Sequence, residues 1–155
     1  MMIAASVINF PVIGISTIDE SNKHIFVASN ESELNAVPLH DILQGYTKSV
    51  RIVDSNGLSY KACCSKIKGV YWRRFKDIGI ITSFIACIFG GFNIPLVMDV
   101  KYRYIKKENF EEIKELVLDV VEKRPRYYTR FKGVNNVKKQ IKCSKSFEQL
   151  ALAII

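Results

Sequence analysis

Residues 78–100 read IGIITSFIACIFGGFNIPLVMDV, and the fold turns on how this run is interpreted. About 20 apolar residues are enough to cross a bilayer as a helix. This run, however, contains Gly90, Gly91, Asn93 and Pro95 close together. Basic residues flank both ends, with Arg73, Arg74 and Lys76 before it and Lys101, Arg103, Lys106 and Lys107 after it. Such symmetry assigns no cytoplasmic side. A β-hairpin turning at Gly90-Gly91 sorts the side chains better. It pairs Phe89 with Phe92, Cys87 with Ile94, Ile85 with Leu96, Ser83 with Met98 and Ile81 with Val100, which makes one face almost wholly apolar. The other face turns polar toward the strand ends, at Thr82/Asp99 and Ile80/Lys101. A helix gives no comparable sorting. The hairpin is therefore the expectation, and a membrane span is the weaker reading.

The alternation continues past the run. Leu96, Met98, Val100, Tyr102 and Tyr104 fall on one side of a strand over 96–105, while Asp99, Lys101 and Arg103 fall on the other. Upstream, residues 50–64 carry a second hairpin signal, Asp54-Ser55-Asn56-Gly57. A three-residue loop with Gly57 in the left-handed region pairs Asp54 with Leu58. It sets Ile52 opposite Tyr60 and Val50 opposite Ala62, so the apolar residues share a face. A two-residue Asn-Gly turn would set Ile52 opposite Lys61 and mix the faces. Residues 7–18 read as one or two strands bent at Pro11, a turn follows at Asp19-Glu20-Ser21-Asn22, and residues 24–28 form another strand. Residues 39–44 read as a short helix ended by Gly45.

The C-terminal third changes period. Asn109 caps a helix, with Glu112 completing a capping-box pattern, and Ile113, Leu116, Val117, Val120 and Val121 form its apolar stripe. Pro125 stops it. Val134, Val137 and Ile141 mark a second helix. Ser146 with Gln149 caps a third, which turns Phe147, Leu150, Ala151 and Ile154 inward. The expected class is α+β. A mostly antiparallel sheet from the N-terminal two-thirds is packed by two or three C-terminal helices, in a single domain over 1–155.

Composition narrows the function. The chain has 155 residues, 48% of them hydrophobic and 25% charged, as expected of an ordinary globular protein with a real core. Its net charge of +8 is uneven: residues 1–60 hold three basic and six acidic side chains, and residues 61–107 hold ten basic and two acidic. The four cysteines form no C-x-x-C pair and lie far in sequence from His24 and His40, so neither a metal site nor a disulfide framework is expected. Mostly buried, reduced thiols fit better. The apolar N-terminus lacks the basic residues that open a secretory signal. His24 and His40 stand apart from any spacing that would make an acid–base pair, and no nucleophile, phosphate-loop or dinucleotide motif occurs. No enzymatic activity, cofactor or small-molecule substrate is expected.

What stands out is basic charge interleaved with aromatic rings. Residues 66–76, KIKGVYWRRFK, hold five basic residues, three aromatics and no acid. Residues 123–145 hold nine basic residues and no acid, with Tyr127, Tyr128 and Phe131 among them. The candidate partner-binding residues are Trp72, Arg73, Arg74, Arg124, Arg126, Tyr127, Tyr128, Arg130 and Lys132. Such patches fit an acidic protein surface, with the rings as anchors. They fit single-stranded nucleic acid by phosphate neutralisation and stacking. They also fit a solvated face whose rings turn into the core.

The hairpin DSNGLSY at 54–60 and the helical end running from NFEEIKEL at 109–116 to KSFEQL at 145–150 give the chain its layout. In size and order of elements it resembles the small immunity proteins of bacterial polymorphic toxin systems, such as contact-dependent growth inhibition. The resemblance implies a cytoplasmic protein that binds one cognate toxin domain and blocks its active site. It carries over no functional residue. Inhibitors of nucleases are often acidic, whereas this chain is basic. The resemblance therefore implies either an acidic toxin or contact through the acidic N-terminal part. A nucleic-acid-binding module is the alternative, and a small membrane protein comes third.

Overall fold

The computed structural model describes residues 2–4, 7–19, 22–38, 49–70, 95–125 and 132–155. Strands come first and helices last: β1 (Met2–Ala4), β2 (Val12–Asp19), β3 (Asn22–Ala28), α1 (Glu31–Leu34), β4 (Ala36–Pro38), β5 (Val50–Val53), β6 (Leu58–Val70), β7 (Pro95–Lys107), α2 (Phe110–Lys123), α3 (Val134–Cys143) and α4 (Phe147–Ile154). All described strand pairs are antiparallel. The sheet runs β1–β7–β6–β5–β2–β3, and β4 joins β1 on the same edge of β7. This is the α+β layout that the change of period implied.

The turn between β5 and β6 sets the register. Gly57 has φ 78°, its N–H donates to the Asp54 carbonyl at 2.9 Å, and the Asp54 N–H donates to the Leu58 carbonyl at 2.9 Å. Buried Asp54 also accepts from the N–H groups of Asn56 and Leu58, at 3.0 and 2.8 Å. Ile52 lies opposite Tyr60, the register of the bulged three-residue loop.

The neighbours of β7 differ from expectation. Leu96 pairs with Val70 of β6 on one side and with Val37 of β4 on the other. β1 takes the same outer edge further along, at Tyr102. Both sides of Leu96 are thus filled, and the expected Ile85–Leu96 pairing gives way to these longer-range partners. The turn at Gly90-Gly91 and the strand before it lie outside the described residues, as does the short helix expected over 39–44. Three small elements were not foreseen: β1, α1 and β4. Pro11 precedes β2 rather than bending a strand that begins at Val7, because a residue without an N–H fits a strand entrance.

The sheet has an apolar layer on each face. On one, Val12, Ala28, Val50, Ile52, Tyr60, Met98, Val100 and Tyr102 pack with Ile8 and Leu34. On the other, Ile13, Ile15, Ile25 and Val53 meet α2, α3 and α4. Val117, Ile141 and Leu150 are fully buried there, each contributing roughly 1.5–3 kcal/mol. The helix ends follow local chemistry. Asn109 accepts the N–H of Glu111 at 2.9 Å, rather than forming the expected box with Glu112. Ser146 accepts the N–H of Gln149 at 3.2 Å, and the Gln149 side chain accepts from the Lys145 N–H at 2.9 Å. Cys63 and Cys143 are exposed, against the expectation of mostly buried thiols. Cys63 sits where the β6 register shifts, between Ala62 and Cys64, and Cys143 closes α3 on its outer side.

Burial, with Glu31 as a smaller cause, raises the Tyr102 phenol well above its ordinary value of 10.0. The folded state therefore favours the neutral ring. This contribution is fully present below about pH 10 and is lost as pH climbs toward the folded value. Urea midpoints should fall above about pH 10, and Tyr102→Phe should flatten that fall. An unchanged slope in the variant would show that Tyr102 does not carry it.

Candidate functional site

The helices cover only part of their face of the sheet. Register across five adjacent strands shows where they stop. Ile25 of β3 pairs with Ile15 of β2, Ile15 with Arg51 of β5, Arg51 with Lys61 of β6, and Lys61 with Arg103 of β7. Cross-strand partners share a face, so this is a single row. The two isoleucines are buried under the helices. The next three residues are cations: Lys61 and Arg103 are exposed and Arg51 is half-buried. Neighbouring strands lie about 4.8 Å apart, so the three charges are close. Two residues further along β7, Lys101 is exposed on the same face. Beyond it, Lys66 lies opposite Asp99.

Like charges placed directly opposite one another destabilise a sheet, by roughly 0.2–1 kcal/mol per pair. Only part of the row is compensated. Glu108, with its side chain 2% exposed, accepts from Arg51 Nη1 at 2.9 Å and pairs with Lys106 Nζ at 3.1 Å. Its N–H donates to the Gly57 carbonyl at 2.8 Å, which ties this carboxylate to the β5–β6 turn. Lys68 pairs with Asp99 at 3.6 Å. Among the described residues, Lys61, Lys66, Lys101 and Arg103 have no ion-pair partner. A surface of this kind attracts negative charge and speeds encounter with an anionic partner.

Glu108→Ala should cost about 2 kcal/mol in a urea titration. That is less than the ~3–5 kcal/mol of a fully buried pair, because Arg51 and Lys106 keep 32% and 54% of their side-chain exposure. A loss below about 0.5 kcal/mol would show that solvent screens the network.

Of the residues singled out from sequence, Trp72, Arg73, Arg74, Arg126, Tyr127, Tyr128 and Arg130 lie outside the described residues. Arg124 is half-buried at the end of α2, and its Nη1 donates to His24 Nε2 at 2.5 Å. His24 is therefore engaged by a guanidinium. Exposed Lys132 precedes α3 and donates to the Leu152 carbonyl at 3.5 Å. Neither residue belongs to the cationic row. Sequence alone does not assemble the row as a unit, because Arg103 lies far along the chain from Arg51 and Lys61. Two signals pointed at its parts: the alternation over 96–105, which put Lys101 and Arg103 on one face, and the hairpin register, which fixed Arg51 and Lys61.

Among the described residues, no helix is long and apolar enough to cross a membrane. Comparison with protein-family models, curated proteins and solved structures finds no match for this chain, so the functional reading rests on the cationic row.

Proposed function

We propose that this is a non-enzymatic binding protein whose cationic sheet face docks on an acidic surface of a partner protein. The function class is that of an immunity protein, acting in the cytoplasm to neutralise a cognate toxin domain by direct binding. The row Arg51–Lys61–Arg103 carries this reading. Three like charges in register on a face the helices leave open cost stability, and an acidic partner offsets that cost. Tyr60, Tyr102 and Tyr104, next to the row in register, belong to the opposite face of the sheet, so among the described residues the row's own face offers bases no stacking platform. Nucleic-acid binding through phosphates alone is the competing outcome.

The test pairs the protein with candidate toxin domains encoded by genes adjacent to its own. Co-expression of the wild type should protect cells, and the variant Lys61→Glu/Lys101→Glu/Arg103→Glu should protect poorly. The proposal fails if the wild type gives no protection. It also fails if the protein instead binds unrelated oligonucleotides at micromolar or tighter affinity near ~150 mM salt, with log affinity falling linearly in log salt. Cleavage of RNA abolished by His24→Ala or His40→Ala would overturn the non-enzymatic assignment.

A further inference from the structure

A groove of about 260 Å³ lies where the helical cover ends, between α2 and the start of the cationic row. Ile15 and Leu116 belong to its apolar lining and Ile105 lies across from them, while Lys23, Arg51 and Lys61 are its cations. Leu116 is the one member of the α2 stripe that is not buried; Ile113, Val117, Val120 and Val121 all are. Ile105 is 44% exposed on the same side. Leu116 packs against the helix-side core with part of its surface and lines the groove with the rest. Arg51 Nη1 is engaged by Glu108, and the other guanidinium donors have no protein partner among the described residues.

Resting on the binding-protein reading above, we infer that this groove anchors the partner by taking an acidic side chain with an aliphatic neighbour, from an extended segment of the partner protein. Size supports side chains over a cofactor, since small-molecule sites run to roughly 300–1,000 Å³. Charge complementarity selects the acid: Lys23, Arg51 and Lys61 line the groove, and no carboxylate is among its lining residues. The apolar wall selects the aliphatic neighbour, because Leu116 and Ile105 gain from leaving water, whereas a strongly hydrated phosphate gains nothing from them.

The test uses two short labelled peptides, one of alternating glutamate and leucine and one of glutamate alone, titrated by fluorescence anisotropy at low salt. The mixed peptide should bind wild-type protein at least about tenfold more tightly than polyglutamate. Lys23→Glu, at an exposed position, should weaken it by about tenfold, and Leu116→Asn should bring the two peptides to equal affinity. Amide shifts on titration should centre on Thr17, Lys23 and Leu116. If both peptides bind equally and Lys23→Glu has no effect, while Lys101→Glu/Arg103→Glu abolishes binding, the groove assignment falls and the wider cationic face stands. If neither peptide binds, both fall.

Discussion

Replacing Gly57 with valine should destabilise the protein by about 3 kcal/mol or more, a large share of the ~5–15 kcal/mol that holds a domain together. Two effects add. The left-handed conformation at φ 78° costs an L-residue roughly 1–2 kcal/mol, and more when the side chain is β-branched. A Cβ built on Gly57 would also lie 2.4 Å from Phe147 Cε2. That ring is held edge-on against Phe110, with centroids 5.2 Å apart and planes at 86°, so it cannot withdraw without loosening the start of α4. Gly57→Ala should lose about 2 kcal/mol by the same route. Urea denaturation measures both. A loss of only about 1–2 kcal/mol for valine, the backbone cost alone, would mean that the turn and α4 are not in contact.

The contrast between Gly57 and Phe147 illustrates what could be read from sequence. Asp54-Ser55-Asn56-Gly57 is a local signal: four residues fix a turn type, and the face shared by Ile52 and Tyr60 fixes its register. Nothing local says that the turn will meet Phe147, 90 positions later. The helices were legible because their stripes, caps and stop signals lie within each segment. β1, α1 and β4 were not, since three or four residues are too short to show a period. The alternation along β7 marks it as a strand but does not name its partners. Proximity in sequence favours residues 80–89, whereas β6 offers a ladder from Leu58 to Val70 and β4 and β1 fill the far edge. The candidate site was half legible for the same reason. Charge density along the chain drew attention to residues 66–76 and 123–145. The cationic row is assembled across three strands, and only pairing brings Arg51, Lys61 and Arg103 together.

The second large effect concerns association. Reversing Lys61, Lys101 and Arg103 to glutamate places three acids where an acidic partner would dock, so long-range attraction becomes repulsion. Electrostatic steering changes association rates by about 10–1,000-fold, and three reversals on one face should slow encounter by about 100-fold at low salt. All three side chains are exposed and unpaired among the described residues, so the fold should keep its stability to within about 0.5 kcal/mol: glutamates at 61 and 103 still oppose each other, while a glutamate at 61 faces Arg51. The most direct measurement, on the proposed function, is stopped-flow association of wild type and triple variant with a toxin domain that the wild type neutralises on co-expression, at about 50 and 500 mM salt. Screening lengths shrink from over 10 Å to under 5 Å across that range. The account predicts a wild-type rate that drops steeply with salt, a variant rate about 100-fold lower at low salt, and convergence of the two at high salt. Equal rates for the two proteins at low salt would contradict it.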